Sequence, residues 1–333
     1  MNTAALRDYL IGAGIDVCGE LTADLISGGR SNLTFRVSDG VTAWVVRRPP
    51  VRGITPSAHD MGREYIVASA LQGSAVPVAK TVAFDAEGTA FGVPMTVVEF
   101  VDGVVIRDQT ELADLSDEQV DANASAIVKV LAALHAVPYD QIGLGKFGRP
   151  CGFLSRQVNL WARQWERVRT RDLPDVATMH TALAQAVPPA SDASIVHGDL
   201  RIDNTIVDSS DPTVVRAVVD WEMSTIGDPL TDIALMCVYR DPLFNLVLGT
   251  QAAWTSPRLP SADTLAHRYA IASGRDLSNW NFYLALANFK LGVISEGITH
   301  RALQGSDAGD GAMRAADAAP EFIAAGLRVL RNP

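Results

Sequence analysis

The spacing of apolar and polar residues divides the chain into a short β-rich part and a longer helical part. Residues 1–15 place apolar side chains at helical intervals and predict a short amphipathic helix. Three short runs follow at 24–28, 33–38 and 42–47, alternating or wholly apolar and punctuated by Gly28-Gly29 and Asp39-Gly40. That is the pattern of a strand meander, with Asp39-Gly40 as a tight hairpin turn. Pro49, Pro50, Gly53 and Pro56 mark a loop, and from Ser57 the apolar positions Met61, Tyr65, Ala68 and Leu71 predict a helix to about residue 73. Residues 78–84 and 91–99 read as two further strands, and Val101-Asp102-Gly103 breaks the pattern as a hinge.

Beyond the hinge the period is mostly helical. A long helix is expected over 116–136 and one or two more over 153–187. Short β-runs return between 194 and 220, and helical spacing resumes from Pro229, interrupted by a Pro-rich stretch at 241–262. The division is therefore an N-terminal lobe at 1–101 and a larger, mainly helical lobe at 102–333.

Composition narrows the class. The chain has 333 residues, 48% of them apolar and 20% charged, as expected of a globular enzyme. Its net charge of −10 argues against a nucleic-acid partner, which demands a basic surface. No apolar run approaches the roughly 18 residues of a membrane span, and no signal peptide is visible at the start. Cys18, Cys151 and Cys237 are odd in number and scattered, which predicts free thiols and a reducing cytoplasm.

The strongest chemical signal is His197-Gly198-Asp199-Leu200-Arg201-Ile202-Asp203-Asn204, followed by Val218-Val219-Asp220-Trp221-Glu222. Phosphoryl transfer needs a carboxylate to orient the attacking hydroxyl and hard oxygens to hold Mg²⁺ against the phosphates. Asp199 can supply the first, Asn204 and Asp220 the others. Apolar residues before both aspartates predict strands that hold these loops rigid.

A His-x-Asp-x-x-x-x-Asn run with an Asp 16 residues after its Asn resembles the catalytic and metal-binding loops of the aminoglycoside phosphotransferase and choline kinase superfamily. The longer run through Asp220-Trp221-Glu222-Met223-Ser224-Thr225-Ile226-Gly227-Asp228-Pro229-Leu230-Thr231-Asp232 is similar to the phosphotransferase domain attached to some acyl-CoA dehydrogenases. The resemblance spans about residues 20–240. It implies an α+β, bilobal protein-kinase-like fold and a Mg²⁺-dependent transfer from ATP, or GTP, to a small-molecule hydroxyl acceptor.

Further roles follow from the resemblance. Ser27, Gly28, Gly29, Ser31 and Asn32 stand where the family places its nucleotide-positioning loop, although a Gly-Gly pair is also what an ordinary hairpin needs. Arg47 stands where the family carries a phosphate-contacting Lys, and Glu64 is its expected partner. Glu99 and Val101 stand where the family places its adenine-binding linker, although a plain connection between lobes fits these residues equally well. Asp232 matches the residue that holds the catalytic-loop backbone, with His197 and His135 expected to be structural. Arg201 is expected to meet either the transferred phosphate or Asp203. Trp161, Trp165, Arg268, Tyr269, Tyr283 and Arg301 are the acceptor-side candidates, with core packing the competing role for the aromatics. The acceptor is expected to be aminoglycoside-like or a hydroxyacyl-CoA. A non-catalytic nucleotide-binding scaffold is the alternative, with Arg47 in its favour and an intact Asp199, Asn204 and Asp220 against it. A protein kinase is disfavoured, since residues 223–232 leave little room for an activation loop.

Overall fold

A computed structural model describes residues 1–28, 32–49, 60–189, 192–305 and 311–331. The chain separates into two compact units, Met1–Gly103 with Arg216–Ser224, and Val104–Val215 with Thr225–Pro333. The sequence pattern leaves 216–224 with the helical part. Its place in the first unit follows from its bonds: Val218 donates its N–H to the Pro77 carbonyl at 2.8 Å, and Arg63 Nε donates to the Ser224 carbonyl at 2.9 Å.

The first unit opens with α1 (Thr3–Gly12), capped by the Asn2 side chain. Strands β1 (Thr22–Gly28), β2 (Leu33–Ser38) and β3 (Ala43–Arg48) follow, then α2 (Met61–Ala70), β4 (Thr81–Asp85) and β5 (Met95–Glu99). They form one antiparallel sheet in the order β1-β2-β3-β5-β4. At the β2–β3 turn Asp39 Oδ1 accepts the N–H groups of Val41 and Thr42, and Gly40 takes the left-handed φ of 89° such a turn requires. Alternation along β3 sends Trp44 and Val46 into a core with Leu6, Leu10, Val37, Met95 and Val97. Arg47, one position on, therefore lies on the other face. Helix α2 begins at Met61, later than the periodicity predicts, because Asp60 caps it by accepting the Arg63 N–H at 2.9 Å. The start predicted at Ser57 falls outside the described residues.

The second unit is mainly helical: α3 (Gln109–Leu112), α4 (Asp117–Ala136), α5 (Phe153–Val168), α6 (Asp175–Gln185), α7 (Leu230–Val238), α8 (Phe244–Leu248), α9 (Ala262–Ser273), α10 (Trp280–Leu303) and α11 (Ala319–Arg331). Between α6 and α7 in sequence lie the short strands β6 (Ser194–Val196), β7 (Thr205–Val207), β8 (Val215–Val218), which belongs to the first unit from Arg216 on, and β9 (Thr225–Gly227); β6 pairs antiparallel with β9. Helix α4 starts on a full capping box, the Ser116 hydroxyl and the Gln119 side chain each serving the other's backbone N–H. Helix α10 is buried on most of its circumference. Cys18, Cys151 and Cys237 form no disulfide. Among the described residues no helix is long and apolar enough to cross a membrane.

Candidate active site

Each unit carries one cluster of the residues singled out by the sequence. In the first unit the cluster is built on β3, α2 and the 216–224 segment. Arg47 Nη1 stands 3.0 Å from Glu64 Oε2, and Arg47 Nη2 stands 3.3 Å from Asp220 Oδ1. Burial pushes the Glu64 carboxyl up to about 7; Arg47 offsets part of this, and the neighbouring Asp220 charge adds to it. Arg47 itself is held above its ordinary value, because Glu64 and Asp220 outweigh its own burial. Asp220 adopts a left-handed φ of 67°, one of two non-glycine residues to do so among those described. An aspartate tolerates that backbone better than a branched residue, and it aims the carboxylate into the cluster.

Carboxylate oxygens of Glu64, Asp220 and Glu222 all lie within 4.8 Å of one another. Asp220 thus has two acidic neighbours, one of which, Glu222, the sequence reading quoted without giving it a role. Its signal was its place two residues after Asp220.

The remaining expectations for this unit divide three ways. Asn32 is buried, its Nδ2 3.5 Å from Glu64 Oε1, so it faces the same cluster. Ser27 and Gly28 end β1, whereas Gly29 and Ser31 lie outside the described residues. The Glu99 N–H is spent on the Lys80 carbonyl at 2.8 Å, and its side chain pairs with Lys80 Nζ at 2.7 Å. Val101 follows it, half-buried, after Phe100 has donated its N–H to Ala43.

In the second unit the cluster centres on Asp199, just after β6. One carboxylate oxygen accepts from both Arg201 Nη1 and the Tyr239 hydroxyl. The other accepts from Asn204 Nδ2 at 3.1 Å, and the same amide donates to the Asp199 carbonyl at 2.8 Å. With its nitrogen so engaged, Asn204 has its amide oxygen as its remaining ligating atom. Burial alone would raise the Asp199 pKa; Arg201, the Tyr239 hydrogen bond, Lys290 and His197 overcome it and hold the carboxyl below its ordinary range. The side chain is therefore an anion at neutral pH. Such a group orients a hydroxyl well and takes its proton only as the bond to phosphorus develops.

Arg201 meets Asp203, one of its two expected partners: Nε lies 2.7 Å from Asp203 Oδ1, while the guanidinium also holds Asp199. It lies over the rings of Tyr239 and Phe244, 5.2 and 5.4 Å from their centroids. The loop backbone is pinned by buried Asp232, whose two oxygens accept the N–H groups of His197 and Gly198, each at 2.7 Å. His135 is buried between Tyr269 and Asp232, at 2.6 and 3.2 Å. Burial lowers its pKa and keeps it neutral. It supports Asp232, as a structural histidine should.

Tyr239 and Lys290 escaped the sequence reading. Tyr239 follows the last turn of α7 with no distinguishing neighbour. Lys290 had a readable signal, since it is the sole charged side chain between Trp280 and Ser295 in an otherwise apolar helix. Of the acceptor-side candidates, Trp165, Tyr269 and Tyr283 are buried, with Tyr283 bonded to Asp228. Arg268 bridges to Asp121, while Trp161 lies beneath Lys290.

Residues 22–268 match the phosphotransferase enzyme family. The chain belongs to that family. Its curated relatives include acyl-CoA dehydrogenase family member 11 of Homo sapiens, 30% identical over 99% of this chain, and that of Gallus gallus, 34% identical over 86%. The chain spans 42% of the human relative's length and 38% of the chicken one's. Among solved structures, a Ralstonia eutropha protein classed with the aminoglycoside phosphotransferases is 30% identical, with a TM-score of 0.83 over 99% of this chain and 98% of that one. Aminoglycoside phosphotransferase APH(4)-Ia, in ternary complex with AMP-PNP and hygromycin B, is 18% identical and shares the fold, with a TM-score of 0.65 over 99% of this chain and all of that one. The antiparallel sheet unit and the helical unit are those of the kinase-like α+β fold of the aminoglycoside phosphotransferases.

Proposed function

We propose that this member of the phosphotransferase enzyme family moves the γ-phosphate of ATP, or of GTP, to a hydroxyl of a small molecule, with Asp199 orienting that hydroxyl. The observation that carries the reading is the state of Asp199: ionised, held by Arg201, Tyr239 and Asn204, and set in a loop whose backbone is fixed by Asp232. A binding module has no use for a carboxylate so prepared.

Mg²⁺ suits the residues present, because it takes hard oxygen ligands and few of them from protein. Asp220 and Asn204 are the proposed ligands, with Glu222 beside Asp220 as a further carboxylate; the ion would neutralise charge on the phosphates. Arg47, set by Glu64, supplies a fixed cation for the phosphate chain. The bidentate guanidinium does this with different geometry from an ammonium but the same charge. Arg47→Ala should weaken nucleotide binding about 10- to 100-fold, the size of a charge-assisted contact, read by titration of a fluorescent nucleotide. Equal affinity in that variant would remove Arg47 from the site.

The acceptor reading rests on the relatives. The phosphotransferase-like part of the acyl-CoA dehydrogenase relatives favours a hydroxyacyl-CoA, and the hygromycin complex of a fold neighbour favours an aminoglycoside-like compound. Purified protein with Mg²⁺ and nucleotide is to be offered both classes, with choline and macrolides beside them and Asp199→Asn as blank. Acceptor-dependent nucleotide consumption that disappears in the variant is the expected result. Binding of nucleotide without turnover on any acceptor would favour the scaffold reading.

A further inference from the structure

We infer that Lys290 is a positioning residue for the phosphotransfer loop: from α10 it holds the Gly198 carbonyl and so fixes the peptide plane that sets the direction of Asp199. This rests on the role proposed for Asp199 and adds a residue to it.

The peptide joining Gly198 to Asp199 is held at both ends. Its oxygen accepts from Lys290 Nζ at 2.9 Å, and its N–H, that of Asp199, donates to His197 Nδ1 at 3.2 Å. One peptide plane cannot rotate while both bonds stand. The lock is needed because Gly198 sits at φ 85°, where glycine passes between conformations with little steric resistance. Rotation of the following plane would swing the Asp199 side chain off its partners. Asp232 holds the preceding N–H groups, those of His197 and Gly198, so it leaves this plane unrestrained.

Lys290 is itself fixed. Its ammonium lies 5.7 Å from the centroid of the Trp161 ring on α5, within cation–π range. The four-carbon stem emerges from α10 between Phe289 and Leu291, both fully buried. A charged side chain in so apolar a stretch is retained at a desolvation cost, which a purely packing role does not explain. An ammonium also has two donors left beyond the one given to Gly198. Its charge stabilises the Asp199 carboxylate, and Asp199 stabilises the ammonium in turn.

Lys290→Met keeps the stem and removes the donor. In this variant the Asp199 amide is expected to exchange with solvent about tenfold faster while the Gly198 amide, held by Asp232, is unchanged, and kcat to fall about 100-fold, the effect of roughly 1 Å of misplacement at a reacting group. Nucleotide affinity should stay within twofold. Lys290→Arg should recover part of the rate, and Lys290→Gln, a shorter donor, reads the same contact if the Met variant does not fold. Unchanged exchange at the Asp199 amide overturns the inference, as does a kcat within threefold of the parent protein. So does a loss that appears equally in nucleotide affinity or only in the thermal midpoint. If the parent protein transfers phosphate to no acceptor, including water, the phosphotransfer reading fails separately, and the exchange rates still decide whether Lys290 holds the loop.

Discussion

Asp199→Asn is expected to lower turnover by about 10²- to 10⁴-fold, the contribution of a positioned acid–base group, while nucleotide affinity stays within about threefold. The two numbers separate because the groups differ in task. The Asp199 carboxylate is held by Arg201, Tyr239 and Asn204 of its own unit. The cation proposed for the phosphates, Arg47, is set by Glu64 and Asp220. An asparagine amide still accepts from Tyr239 on its oxygen. Its nitrogen, however, faces Asn204 Nδ2, donor against donor, and Arg201 loses one of its two anionic partners, keeping Asp203. The loop can keep its backbone while losing the charge that orients a hydroxyl. Single-turnover rates with saturating nucleotide, beside equilibrium nucleotide binding, give both values. A rate within tenfold of the parent protein would mean that another group orients the acceptor.

Much of this architecture was legible because it rests on local signals. The sheet announced itself through alternation and Asp39-Gly40, and α4 through helical spacing over 116–136. The Asp199 loop was legible because its chemistry needs particular residue types at short spacing. What the sequence concealed was long-range. Tyr239 reaches Asp199 across 40 positions and Lys290 reaches Gly198 across 92, and no local pattern encodes either approach. The placement of 216–224 with the sheet unit was hidden for the same reason: a single backbone bond from Val218 to Pro77 carries no side-chain signature. Glu64, expected from the family resemblance to partner Arg47, is buried against it, and burial pushes its carboxyl up to about 7.

Removing the Asp232 carboxylate should cost the fold more than any other single change considered. Its oxygens accept the N–H groups of buried His197 and half-buried Gly198, each at 2.7 Å, and buried His135 Nε2 at 3.2 Å. In Asp232→Ala those donors lose their acceptor in a space too confined to hydrate them all. At about 1–3 kcal/mol for each unsatisfied buried group, the expected destabilisation is about 3–5 kcal/mol, read from the urea midpoint. The pH dependence supplies an independent check. Burial raises the Asp232 pKa, but His135 and His197 outweigh it and hold the carboxyl below its ordinary 3.8. The folded state therefore binds this proton less tightly than the unfolded chain, and the stabilisation is present above pH 3.8 and lost as pH falls through the depressed folded value. His135 acts in the same sense: its folded pKa lies below 6.5, so the unfolded chain takes up that proton first and stability begins to fall on acidification below about 6.5. Glu64 runs oppositely, its raised pKa giving a contribution present below 4.5 and lost as pH rises through about 7. Between pH 8 and pH 4 Asp232 stays ionised and offsets part of the burial that depresses the His135 pKa, so stability should fall less steeply in the parent protein than in Asp232→Ala, where His135 has lost that anion. Equal slopes would mean that the His135–Asp232 contact contributes nothing to the acid sensitivity of the fold.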